Sequence, residues 1–163
     1  REVHSAIPGM IFTLDQTAFT GKQPVNTSFH RLFAPAAPHT TATKGRDCKS
    51  CHSNPVALGY GHGKLEFDKS TAQWTFTPEY VNLPQDGLPA DAWIGFLQEP
   101  LPKTSTRLTF RAFSVAEQKK ILTVGACLTC HDQNSDLMKE SIHKDFKELR
   151  AQMTEQCKVP EFD

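Results

Sequence analysis

The chain has no apolar run approaching the roughly 18 residues of a membrane span, no block of like charge and no Gly/Ser-rich linker. No membrane span is expected, and nothing marks a boundary between domains, so residues 1–163 read as one unit. Charge of one sign is also missing. The 18 Lys and Arg balance 18 Asp and Glu, which leaves no basic surface to suggest nucleic acid or an anionic membrane as partner. Apolar side chains are scarce at 38%, a low fraction for a packed core, and 11 Pro with 9 Gly interrupt the chain repeatedly. Residues 1–7 carry no signal-peptide apolar segment. With Arg rather than Met at position 1, the chain is expected to be a mature, processed or truncated product.

What is present is one pattern that occurs twice, Cys48-Lys49-Ser50-Cys51-His52 and Cys127-Leu128-Thr129-Cys130-His131. Both are C-x-x-C-H, the attachment pattern of a c-type haem. Two thiols three positions apart can each add to one vinyl group on a haem edge, and the adjacent His then lies under the iron as proximal ligand. Cys48, Cys51, Cys127 and Cys130 are therefore the expected thioether residues, His52 and His131 the expected proximal ligands, and two haem c groups the expected cofactors. Zinc knuckles and redox dithiols also use C-x-x-C. Paired zinc knuckles normally lie about 15 to 20 residues apart, however, whereas most of the chain separates these motifs, and a redox dithiol has no need of the His.

Haem also answers the shortage of apolar residues, because a porphyrin offers a broad hydrophobic face on each side. The expected fold is mainly α with much irregular structure and a small β-hairpin: a multihaem cytochrome c-like chain wrapped around two covalently bound haems and poorly folded without them. Thioether formation needs reduced thiols and haem to meet outside the cytoplasmic membrane, so the expected location is periplasmic or extracellular. Cys157 is left over. It reads as a partly buried, inert thiol, with a link between chains of a homo-oligomer as the alternative.

The sixth ligand of each iron separates electron transfer from chemistry. Five His lie outside the motifs (His4, His30, His39, His62, His143), along with three Met (Met10, Met138, Met153). No Met falls between His52 and Met138, so haem 1 is expected to be bis-His, which lowers its potential relative to His/Met ligation. His39, in extended chain shortly before Cys48, is the first choice there and His62, between Gly61 and Gly63, the second. For haem 2 the choice is His143, on the helix that follows the motif. His30 is the alternative, with Arg31 then placed to meet a propionate, and His4 is the remaining candidate. Met138 and Met153 read as core.

Along the chain, residues 1–63 form the haem 1 region, 64–106 a hairpin and loop, and 107–163 a helical haem 2 region. A short strand is expected over 10–14 and irregular backbone over 24–38. Alternating Leu65, Phe67, Trp74 and Phe76 predict a two-stranded hairpin, residues 82–89 a loop with a turn at Gln85-Asp86-Gly87, and 91–98 one short helix. Ser114-Val115-Ala116-Glu117 is a capping box opening a helix from Val115 towards Gly125. One final helix is predicted from Ser135, with Met138, Ile142, Phe146, Leu149 and Met153 as its apolar stripe and Lys139, Lys144, Lys147 and Arg150 off it.

The block from Arg31-Leu32-Phe33-Ala34-Pro35 through Pro38-His39-Thr40-Thr41, Cys48 to His52 and Ala57-Leu58-Gly59-Tyr60-Gly61 resembles a segment of larger periplasmic multihaem c-type cytochromes of bacterial respiratory chains. Gly125-Ala126-Cys127-Leu128-Thr129-Cys130-His131 with its trailing helix resembles the end of the same module. The resemblance spans about two thirds of the chain and implies that His39 is a distal ligand in one piece of a longer electron wire. Only two attachment motifs are present here. The expected function is electron transfer between redox partner proteins, which include other multihaem cytochromes, with no catalytic residues. Haem propionates add negative charge and so tilt the partners towards basic docking patches. A haem enzyme with one open iron, of peroxidase or nitrogen- or sulfur-oxide reductase type with His62 or Glu66 as distal acid/base, and a haem-based sensor module are the alternatives.

Overall fold

The computed structural model describes residues 10–15, 21, 27–33, 43, 45–100, 104–105 and 111–162. In chain order these carry β1 (Met10–Asp15), β2 (Thr27–Phe33), the one-turn helices α1 (Lys49–His52) and α2 (Pro55–Leu58), β3 (Gly63–Asp68), β4 (Gln73–Pro78), β5 (Thr104–Ser105), α3 (Val115–Cys127), α4 (Asp136–Ser141) and α5 (Phe146–Ala151). β1 and β2 pair antiparallel, Met10 opposite Leu32, and β5 joins the other edge of β2 in parallel. The stretch 24–38, expected to be irregular, thus contains a seven-residue strand. Arg31 on that strand is committed. Its guanidinium forms an ion pair with Asp86 and donates to the carbonyls of Ala92 (2.6 Å) and Leu88 (3.1 Å). Burial would raise the Asp86 carboxyl, but the Arg31 hydrogen bonds, the Leu88 N–H and the Arg31 charge outweigh it and hold the group below the usual carboxylate range. A propionate-binding role for Arg31 is therefore not what its side chain is doing.

β3 and β4 form the predicted hairpin in the register the alternation implies, Leu65 opposite Phe76 and Phe67 opposite Trp74. Lys64, Glu66 and Asp68 take the exposed face. The inner face packs on Leu58, Tyr60, Trp74, Ile94, Ala112, Leu122 and Ala126, a core built between the hairpin, the 92–97 loop and α3. Each large apolar side chain fully buried there contributes about 1.5–3 kcal/mol. The helix expected over 91–98 does not form, because long-range bonds claim its groups. The N–H groups of Trp93 and Ile94 both donate to the Gly59 carbonyl (2.7 and 2.9 Å), and Asp91 is taken by His62. Leu97 closes the loop at φ +52, a left-handed conformation uncommon for a non-Gly residue.

α3 starts at the predicted capping box. The Ser114 hydroxyl accepts from the Glu117 N–H and the Glu117 carboxylate accepts from the Ser114 N–H. Arg111 adds a two-pronged bond to the same carboxylate, 2.6 Å at each prong. The Arg111 hydrogen bonds first and the Ser114 N–H second pull the Glu117 carboxyl from 4.5 down to about 2. A carboxyl depressed on folding contributes stability above its unfolded value and loses it as pH falls towards the folded one. Stability measured as Tm is therefore expected to fall between pH 4.5 and 2 in the unsubstituted protein and to fall less in Glu117→Gln, the two curves meeting at the acid end. Parallel curves across that window would refute the assignment.

The single final helix is in fact two. Ser135 caps α4 by accepting from the Met138 N–H, and Asp145 caps α5 by accepting from the Lys147 N–H. The break throws Ile142 out to 77% exposure, while Met138 stays buried at 7% and Leu149 and Met153 are half-buried. No helix among the described residues is long and apolar enough to cross a membrane.

Candidate functional site

Both C-x-x-C-H motifs fold into the same turn. In the first, the N–H groups of Cys51 and His52 donate to the Cys48 carbonyl (3.2 and 2.9 Å); in the second, those of Cys130 and His131 donate to the Cys127 carbonyl (3.1 and 2.9 Å). One helical turn places positions i, i+3 and i+4 on a common face, so each motif presents its two thiols and its imidazole together. Asp47 fixes the first turn from its N-terminal side, its carboxylate accepting from the Ser50 N–H at 2.6 Å. α3 delivers the second at its C-terminal end.

The two turns also meet each other. The His52 ring bonds through Nδ1 to the Ile121 carbonyl of α3 at 3.0 Å. With a carbonyl as acceptor, Nδ1 carries the proton and Nε2 holds the lone pair, the tautomer a metal-bound imidazole requires. The Cys48 N–H donates to the side chain of Gln133, just past the second motif, at 2.9 Å. Gly125 supplies the closest approach. A Cβ there would lie 2.5 Å from the His52 carbonyl oxygen and 3.1 Å from both Ser53 Oγ and Trp74 Cζ2. Trp74 uses the neighbouring turn of α3, its indole N–H donating to the Leu122 carbonyl at 3.1 Å.

Beside the second motif lies a cleft of about 570 Å³ between α3, α4 and α5, within the range of small-molecule and cofactor sites. Thr123, Val124 and Cys127 form one wall, Phe146, Leu149 and Met153 the facing one, and His131 and Met138 also line it. Two of its apolar residues, Leu137 and Phe146, are 48% and 38% exposed, hydrophobic surface that no protein atom covers. Lys120 and the ion pair Lys144–Glu140 (2.6 Å) are among its polar lining residues. The lining is compatible with a c-type haem: it includes Cys127 and His131 of the second motif, apolar side chains and Lys120. Burial raises the Cys127 thiol, as does the nearby Cys157, whereas a hydrogen bond with the Thr129 hydroxyl, with Lys69 behind it, lowers the exposed Cys130. All five cysteines are free thiols.

The remaining sequence candidates are not brought to these motifs as a set. His143 is exposed and is not part of the cleft lining. His30 lies on β2, its backbone paired with Phe12. His4 and His39 lie outside the described residues. His62 is held by a carboxylate: its backbone N–H and its Nδ1 both bond to Asp91 Oδ2, at 2.7 and 2.6 Å, with Asp91 almost fully buried. Gly61, at φ +85, leaves the space that the Asp91 carboxylate fills. The ring's Nε2 is then the atom available to a proton or a ligand, on a side chain 49% exposed. Glu66, the other acid/base candidate, pairs with Lys64 on the open face of the hairpin. Sequence reasoning missed the lining of the cleft by Met153 and Cys157 and the tie between Gln133 and Cys48. The first follows from the break at Asp145, for which Asp-x-Lys before an apolar run is a weak signal; the second leaves no local signal.

Among the described residues, no group of three or more His, Cys, Asp or Glu side chains is gathered in a way that could hold a bare metal ion. No family model, curated protein or solved structure matches the chain.

Proposed function

We propose that the chain is a dihaem c-type cytochrome that transfers electrons between redox partner proteins. Haem bound at each motif supplies a one-electron ferric/ferrous couple. The observation that carries this reading is the contact between the two motifs, each folded as the same thiol-presenting turn and joined through His52–Ile121, Cys48–Gln133 and the Gly125 approach. Cofactors attached at such adjoining turns would lie near each other, which would favour exchange between them over independent chemistry at each. The chain's own residues attach, orient and shield. Cys48 with Cys51 and Cys127 with Cys130 would form the thioethers, and His52 and His131 would hold the iron. The Ile121 carbonyl fixes the His52 tautomer, and the walls of the cleft exclude water from the second site. Lys120, which lines the cleft, would be the cation available to a propionate; Lys144 is already paired with Glu140. A periplasmic or extracellular location follows from thioether chemistry, and partners include other multihaem cytochromes.

A second reading, a haem enzyme, draws on the His62–Asp91 pair, because a carboxylate behind a half-exposed imidazole is an arrangement suited to proton transfer. Visible absorption separates the two. The purified protein is expected to give two haems per chain by pyridine haemochrome, a sharp reduced α-band and no shift on adding carbon monoxide. A clear carbon monoxide response at one haem, retained in His62→Ala, would favour the enzyme instead. No Soret band would return both motifs to thiol or zinc chemistry.

A further inference from the structure

We infer that the second site takes a sulfur ligand from this chain, the Met153 thioether, on the side of the cofactor opposite His131; this rests on the haem reading above. The cleft beside His131 contains no other imidazole among the described residues. His143, the nearest histidine in sequence, is exposed outside it because the helix breaks before Asp145 and turns α5 back towards α3. That same break brings sulfur into the cleft, where Met138, Met153 and Cys157 all contribute to the lining.

Three arguments select Met153. Met138 comes after His131 by a compact stretch, a turn closed by Ser135 N–H to the Asp132 carbonyl (3.0 Å) and the capped first turn of α4. So tight a connection cannot pass round a haem edge to its other face. Its side chain is also already packed, at 7% exposure. Cys157 also lines the cleft, but it offers a thiol rather than a thioether, a difference the ferric spectrum reads directly. Met153 meets neither objection. It follows Phe146 and Leu149 on the wall facing α3, is half-buried, and comes after the last helical turn of α5 on a segment free of helix geometry. A Met/His pair raises the potential relative to bis-His ligation. The two sites of one chain would then differ in potential, the second being the higher, and electrons would rest there.

The test uses the protein with both haems attached. The near-infrared charge-transfer band that marks thioether ligation of ferric haem is expected at one haem per chain. Met153→Ala is expected to abolish the band, convert one haem to high spin and open that haem to carbon monoxide when reduced. Met153→His is expected to restore low spin and lower that haem's midpoint potential. Met138→Leu and His143→Ala are expected to change none of these signals. Absence of the band from the unsubstituted protein would overturn the inference without any variant, as would its survival in Met153→Ala or its loss in Met138→Leu. A haemochrome count of zero would instead remove the reading on which the inference rests.

Discussion

Replacing Gln118 by Ala is expected to remove about 4 kcal/mol or more of folding stability, a large share of the roughly 5–15 kcal/mol typical of a domain. The side chain is wholly buried and makes four hydrogen bonds. Its carbonyl oxygen accepts from the Tyr60 hydroxyl (2.9 Å) and the Leu97 N–H (3.0 Å), and its amide donates to the carbonyls of Gln98 and Phe113 (both 3.0 Å). Truncation leaves all four partners without this bond, the Tyr60 hydroxyl fully buried and the other three part-buried, and each stranded group costs roughly 1–3 kcal/mol, reduced where water can enter the new space. Burial pushes the Tyr60 hydroxyl far above its usual range, so it remains a donor at any ordinary pH. Gln118 also bonds the N–H of Leu97, the residue held at positive φ; without that bond the conformation has less to oppose its intrinsic strain. Tyr60→Phe removes one donor and leaves the other three bonds, so a loss of about 1 kcal/mol is expected. Urea unfolding of both variants is the measurement. A Gln118→Ala midpoint within experimental error of the unsubstituted protein would show that the network contributes nothing.

Gly125→Ala is the second large effect, and its sign is the informative part. In the interior of an exposed helix the change would stabilise by about 0.5–1 kcal/mol. Here the new methyl would meet the His52 carbonyl oxygen at 2.5 Å, a backbone atom with no freedom to swing aside, and the Trp74 ring at 3.1 Å. Relief requires α1 to move off α3, and overpacking of this kind costs typically about 1–3 kcal/mol. The displaced turn would also stretch the His52–Ile121 bond. Thermal unfolding should show a lower Tm, and if both motifs carry haem the electronic coupling between them should weaken. A variant more stable than the parent would mean that the two motifs do not touch at this point.

What could be foreseen from the residues was local. Leu65, Phe67, Trp74 and Phe76 alternate, and the hairpin follows from that period alone; Ser114 and Glu117 stand three apart, and the capping box follows likewise. Each C-x-x-C-H turn is equally local, since it closes within five consecutive positions. The departures share a different origin, partners far away in the chain. Residues 91–98 have a helix-like pattern, but Gly59 takes two of their N–H groups and His62 takes Asp91. β2 sits among prolines and reads as irregular until β1 is placed beside it. The stripe from Met138 to Met153 fits one helix, yet Asp145 is a better cap than an interior residue, and the stripe divides there. The meeting of the two motifs had no trace in either one, because the contact belongs to Gly125, Ile121 and Gln133.

The first C-x-x-C-H turn precedes in the chain the residues that surround it. Its imidazole is oriented by a carbonyl 69 positions further on, and its first cysteine is tethered by an amide 85 positions further on. During synthesis, Cys48 and Cys51 are an open dithiol until Ile121 and Gln133 have been added. The order of the first turn therefore depends on residues made long after it, so a chain cut short before Ile121 would leave that turn without its two long-range supports.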